Sequence, residues 1–484
     1  MSRFVSAWCL VAAAVVSACA VGPDFEKPKA IPVQRYTADL QPDVTAVADG
    51  ITQRYDGLKT IPAQWWRLFE NKELNELIQV GLENSPSLSQ AEARLKQAQE
   101  QYRAQFGATM LPNLNAAISG ERQKIDPRAF GVPDVGGSPF TIYNSSISVS
   151  YMLDLFGKNR RALEALQASI DYQRFLLRAA QLTLSANIVT AVIQEASLRD
   201  QIAITRKLIT LQEVQLVISE ERYRVGAVSQ LDISSQRSRL AQLEASLPSL
   251  QLKLQQIRHL LAVYVGKAPG ESDLPLFTLD SLHLPVSLPM TLPSELARQR
   301  PDIQAAEALL HKASAEVGVA TANLYPQLSL SASWGASSTS GLWGSTVGVW
   351  DVAAGLTAPI FHGGELQAKK REAVAAYEEA LGAYKDTVLH GLQDVADVMQ
   401  AIDKHTQTLA LLNEATLQAR RRYEIALEQY RAGGVSYLAL LDSEREYQQA
   451  LLGETDMRAN RYADTASLFQ ALGGGWWNDM PDGN

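Results

Sequence analysis

The chain has 484 residues, 46% of them hydrophobic and 20% charged, a composition that belongs to folded proteins and excludes a disordered chain. Its formal charge of -8, with no Lys/Arg run of a kind to dock on phosphates or anionic lipid, leaves no basic footprint for nucleic acid.

At the N-terminus Arg3 precedes an apolar run from Phe4 to Val16, the length of a signal-peptide core and too short for a membrane span. The run ends in Val16, Ser17 and Ala18 directly before Cys19, which resembles the lipobox where bacterial lipoproteins are cleaved and acylated. Cys19 is then the mature N-terminus carrying covalent lipid, and by the same resemblance Ala20, in place of an aspartate after it, implies passage to the outer membrane. Cys9 leaves with the signal, so no intrachain disulfide is open to the exported chain. No later segment reaches the roughly 18 consecutive apolar residues of a spanning helix, so any further crossing must use strands.

The remainder is one unit written twice. Glu221, Tyr223, Arg224, Gly226, Val228, Ser229 and Leu231 recur in the same spacing as Glu428, Tyr430, Arg431, Gly433, Val435, Ser436 and Leu438. Upstream, Pro86 with Ala91, Glu92 and Ala93 answers to Pro301 with Ala306, Glu307 and Ala308, and each half then runs to a Pro-x-Leu, at Pro112 and Pro326. The expected organisation is a signal peptide at 1–18, a lipid-anchored extended segment at 19–64 and a first repeat at 65–265. A proline-rich surface linker follows at 266–293, then a second repeat at 294–472 and a tail at 473–484.

Within each repeat the hydrophobic period switches from helix to strand and back. In residues 142–155, Tyr143, Ile147, Val149, Tyr151, Leu153 and Leu155 alternate with Asn144, Ser146, Ser148 and Ser150. Leu328, Leu330, Ala332 and Trp334 alternate with Ser329, Ser331 and Ser333; a third run extends from Trp350 to Ile360, and 112–120 is a weaker fourth. Each is near the ~10 residues of a tilted transmembrane strand, with a Ser/Asn-rich wet face, which points to a barrel. Residues 158–222 and 364–430 contain no proline, and in the second Val374, Tyr377, Leu381, Tyr384, Val388, Val395, Val398, Ile402, Leu409 and Leu412 share one heptad seam.

Catalytic constellations do not emerge: the six histidines show no pair at metal-ligand spacing, and HExxH, GxxxxGK[ST] and GxSxG motifs are missing. His405, on the heptad seam, reads as structural. Four strands are too few to close a barrel, and an open edge cannot face lipid. Two chains would supply eight strands and a filled interior, three would supply twelve and a channel, and an export role favours three.

Cys19 with Val21, Gly22, Pro23, Asp24 and Phe25, then Trp65, Trp66, Phe69 and Leu74, then Arg300, Pro301, Asp302 and Ile303, and the two Tyr-Arg-x-Gly-x-Val-Ser turns carry a resemblance over nearly the whole chain. The sequence resembles the outer-membrane factor (TolC-like) family, in its lipoprotein branch serving resistance-nodulation-division efflux pumps. The resemblance implies a mixed α/β membrane protein in which a long α-helical coiled-coil barrel joins a transmembrane β-barrel. It implies a homotrimer that passes small molecules as the passive outer-membrane channel of a tripartite efflux system, with no cofactor beyond the lipid, no metal and no enzymatic chemistry. Its partners would be a periplasmic adaptor, an inner-membrane resistance-nodulation-division pump and outer-membrane lipid. A lipid-anchored periplasmic coiled-coil scaffold without a pore is the alternative.

Gly226 and Gly433 each follow a long helix where a left-handed C-cap is favoured, and Ser229 and Ser436 are placed to cap the next helix. By resemblance these turns, with Val228 and Val435, are adaptor-docking tips. The resemblance also implies that Asp232 and Asp442, at the start of the returning helices, help close the periplasmic aperture, although each is also favoured there by a helix N-terminus. Alignment with relatives carrying two aspartates in the second repeat puts Ala439 at the first of those positions, which would shift weight to Leu438 and Leu441.

Overall fold

A computed structural model of the protein describes residues 20–479 except 30, 31, 34, 39–41, 58, 125–137, 272, 340 and 342–344. Cys19, and with it the lipidation and signal-peptide expectations, lies outside the described residues.

Eight helices are described: α1 (Lys72–Asn84), α2 (Pro86–Met110), α3 (Lys158–Arg224), α4 (Gln230–Tyr264), α5 (Pro293–Gln299), α6 (Pro301–Ala322), α7 (Glu365–Arg431) and α8 (Tyr437–Ala471). The strands are β1 (Arg54–Asp56), β2 (Asn113–Gln123), β3 (Phe140–Leu153), β4 (Ser287–Pro289), β5 (Gln327–Ser338) and β6 (Val347–Thr357). Both long helices, α3 and α7, have 67 residues, and both returning helices, α4 and α8, have 35. Pro86, Pro293 and Pro301 open helices, where a missing N–H leaves no bond unmade. Pro248 sits inside α4 without interrupting it.

The chain divides into two compact units. The first comprises Met1–Pro28, Arg94–Gln173 and Ala306–Tyr384 and holds the antiparallel sheet β2-β3-β5-β6. β3 pairs with β5, so the central ladder joins the two halves of the sequence. Two strands end earlier than their alternation suggests. β3 stops at Leu153 because the Asp154 carboxylate accepts from the Arg160 backbone N–H (2.9 Å) and caps α3, leaving Leu155 in the turn. β6 stops at Thr357, two residues before Pro359, which lacks a ladder donor.

The second unit comprises Lys29–Ala93, Arg174–Ala305 and Lys385–Asn484. Its core gathers Trp65, Phe69, Leu74 and Ile78 with Ile188, Val189, Val192 and Ile193 of α3 and Ala466, Leu468 and Phe469 of α8. By length and composition α3 is apolar enough to cross a membrane; its Ile188, Val189, Val192 and Ile193 are instead fully buried in protein. The stretch at 266–293 is not the surface linker its prolines suggest. Leu274, Phe277, Leu279, Leu282, Leu284 and Leu288 are buried in the core, and β4 pairs in parallel with β1. Proline forbids long elements here, but the alternating leucines between the prolines still pack.

Along α7 the buried positions Tyr384, Val388, Val395, Ile402 and Leu409 follow the expected heptad seam, joined by Met399 and Thr406, whereas Val374 is exposed.

Candidate functional site

Strand register sorts the sheet into two faces. Asn115, Ser148, Ser333 and Asp351 lie directly opposite one another across all four strands, flanked by the row Asn113, Ser150, Ser331 and Ala353. Residues one step along point the other way, giving the rows Ala116, Ile147, Trp334, Trp350 and Leu114, Val149, Ala332, Val352. The wet and apolar faces read from alternation are therefore each continuous across the sheet. On the apolar face Ile118, Trp334, Trp350, Val352 and Leu356 are all more than 60% exposed, far more apolar surface than water tolerates on one patch.

The helix tips are built alike. At the end of α3 the Gly226 N–H donates to Tyr223 O and the Ala227 N–H to Arg222 O; at the end of α7 Gly433 donates to Tyr430 O and Gly434 to Gln429 O. With φ of +74° and +77° at the two glycines, both are the left-handed cap expected there. Ser229 caps α4 and Ser436 caps α8, accepting from the Asp232 and Ala439 backbone N–H groups at 3.3 and 3.2 Å. Gly226, Ser229, Gly433 and Ser436 are exposed and Val228 and Val435 half-buried.

The two candidate aperture carboxylates differ. Asp232 completes a capping box, accepting from the Ser229 hydroxyl (2.7 Å) and backbone N–H (2.8 Å). Those two bonds hold its carboxyl below the ordinary range although it is fully exposed. Asp442 does not share that rationale, since it is the sixth residue of α8 and the dipole effect is confined to the first turn. It forms an ion pair instead with Arg445 (3.1 Å) and accepts from Gln215 (3.4 Å). Leu441 is buried within its own chain, while Ala439 is exposed and Leu438 half-buried.

Three arginine hubs went unread in the sequence. Arg161 binds Asp24 (2.6 Å) and Glu164 (2.7 Å), Glu164 meets His311 (2.9 Å), and the Phe25 ring stacks on His311 at 4.3 Å. Burial raises Glu164, but hydrogen bonds from Arg161 and His311 outweigh it and leave the carboxyl below its ordinary value. Arg300 joins Asp302 (2.7 Å), Asp394 (2.8 Å) and the Ala471 carbonyl (3.0 Å). Arg461, 1% exposed, donates to Gln53, Ala48 and Ile51. His405 bonds Asp464 between α7 and α8 at 2.6 Å. Burial pushes the Asp464 carboxyl up, and His405 opposes this only in part. Among the described residues no cluster of three His, Cys, Asp or Glu could hold a metal.

The model of the outer membrane efflux protein family matches residues 77–267 and 292–474. The chain belongs to that family. It is 32% identical over 423 residues to the pyoverdine export outer membrane protein OpmQ of Pseudomonas aeruginosa, covering 86% of this chain and 88% of that protein. It is 28% identical to the outer membrane protein OprJ of the same organism over 472 residues, 96% of this chain and 95% of that one. Among solved structures, the outer-membrane channel OprN matches with a TM-score of 0.82 at 29% identity, over 95% of this chain and all 100% of that one. The open state of the Neisseria gonorrhoeae MtrE outer membrane channel matches at 0.79 and 27%, over 95% and 99%. The protein is thus an outer-membrane efflux channel component, in a family of transport proteins rather than enzymes.

Proposed function

We propose that three copies of this chain close one twelve-stranded barrel in the outer membrane and continue as a helical duct into the periplasm. The observation that carries this is the sheet itself. Its apolar face is continuous across four strands, its opposite face is Ser/Asn-rich, and its outer strands β2 and β6 have no further partner among the described residues. Lipid cannot satisfy the backbone groups of a bare edge. An even number of antiparallel strands lets β6 of one copy meet β2 of the next and keep the alternation. The matching helix pairs, 67 and 35 residues in each half, support an internal duplication and a wall of paired helices.

In this reading Cys19 carries the lipid anchor. The tips around Gly226, Val228, Ser229, Gly433, Val435 and Ser436 dock a periplasmic adaptor, which couples the channel to an inner-membrane resistance-nodulation-division pump. Asp232 and Asp442 of three chains narrow the periplasmic aperture, and solute passes without chemistry in this chain. The test is conductance of the purified protein in a planar bilayer. Discrete channels are expected, with larger open conductance and weaker divalent block when Asp232 and Asp442 are both replaced by alanine. A protein that inserts without conducting is a scaffold and overturns the duct; unchanged conductance in the double variant removes the aperture role.

A further inference from the structure

The polar face of the sheet is uneven in charge. Its residues on β2, β3, β5 and β6 are mostly Ser, Asn, Ala and Gly, with two carboxylates, Glu121 toward the end of β2 and Asp351 midway along β6, and no Lys or Arg. The Ser333 hydroxyl donates to the Asp351 carboxylate, fixing it on that face, and Asp351 is exposed there. Arg122, beside Glu121, takes the opposite face by strand alternation.

We infer that Asp351 sets the charge preference of the outer-membrane end of the channel, drawing cationic solutes and repelling anions. The inference rests on the barrel reading above, in which the Ser/Asn face lines the lumen. A carboxylate repeated in each chain, inside a wall without compensating cations, concentrates mobile cations by the same physics as charged rings in cation pores. The serine and asparagine side chains around it stay neutral at every physiological pH, so nothing else on the four strands at that depth sets the sign.

The experiment reads the local potential instead of the current, so the periplasmic aperture does not enter. Ser333→Cys and, two strands away from Asp351 in the same row, Ser148→Cys are labelled in reconstituted membranes with a cationic and an anionic methanethiosulfonate, with the parent protein as the thiol control. Labelling is followed by mass, with and without Asp351→Asn. The ratio of cationic to anionic rates cancels any change in thiol acidity. With neighbouring strands about 5 Å apart and salt near 10 mM, Asp351→Asn should lower that ratio roughly tenfold in the Ser333→Cys protein, less in the Ser148→Cys protein, and less in both as salt rises. Val352→Cys on the apolar face should react with neither reagent. If Val352→Cys labels as fast as Ser333→Cys, the barrel reading fails and the inference with it. If Val352→Cys is protected and Ser333→Cys reacts but its ratio stays within about twofold on Asp351→Asn, the barrel stands and the charge inference is overturned.

Discussion

Replacing Arg461 by methionine would remove a buried cation that no carboxylate bonds. The guanidinium donates to Gln53 Oε1 at 3.1 Å, Ala48 O at 2.9 Å and Ile51 O at 3.2 Å, and so ties the segment around residues 45–53 to α8. Hydrogen bonds from a charged donor are worth about 1.5–3 kcal/mol each, so three give roughly 4–9 kcal/mol gross. Against this stands the desolvation of the charge, several kcal/mol, which the nearby Asp49 offsets only in part and which methionine no longer suffers. The net loss is about 3 kcal/mol. It should appear locally, because opening the segment lets water reach the three orphaned acceptors. Hydrogen exchange read by mass spectrometry is the assay. Amides of residues 48–54, where Ile51 N–H bonds Ala48 O and Gln53 N–H bonds Thr45 Oγ1, should exchange about a hundredfold faster in Arg461→Met, since 1.4 kcal/mol is tenfold. Arg461→Lys, keeping the charge without the fork, should fall between. Unchanged protection in Arg461→Met would refute the argument that this arginine holds the segment down.

Two further outcomes follow from local geometry. A Cβ at Gly335 would collide with the Ser145 carbonyl and the Ser146 backbone, whereas one at Gly348 meets nothing within 4 Å. Gly335→Val should therefore push β3 from β5 and lower the midpoint of thermal unfolding followed by circular dichroism, with Gly348→Val as the tolerated control; equal behaviour of the two would contradict the register. Asp232 is an acid whose value in the folded protein lies below its ordinary 3.8, held there by the Ser229 hydroxyl and backbone N–H. Its contribution is thus fully present above the ordinary value and lost as pH falls through the lowered one. Exchange protection of the Ser229 amide, corrected for intrinsic rate, should persist below pH 3.8 and be missing from Asp232→Ala at every pH; protection that survives the substitution would mean the box does not hold the tip.

Much of the candidate site was legible because it is made of short-range pattern. Alternation places Ser148 and Ser333 on one face and Val149 and Trp334 on the other without knowledge of strand order. Gly226 and Gly433 signal their caps because few side chains tolerate a positive φ. Asp442 shows where such reasoning misleads: proximity to a tip in sequence is not membership of the first helical turn, and its partner Gln215, 227 residues away, is found only in space. The proline-rich stretch misled for a related reason. Its prolines report what backbone is forbidden, and they are silent on where the intervening leucines go.

The sequence by itself determined the elements, their polarity and the caps, because helix and strand periods, proline starts and glycine ends act within a few residues. Only the tertiary structure decided that β3 lies beside β5, that residues 274–288 enter the core, and that Arg161, Arg300 and Arg461 are hubs. Arg461 and Ala48 stand 413 residues apart. A buried arginine is read in sequence as an ordinary polar residue of a helix. What makes it a hub is the desolvation that favours pairing its donors with oxygens, and which oxygens are within reach is set by packing of segments that carry no local mark of one another.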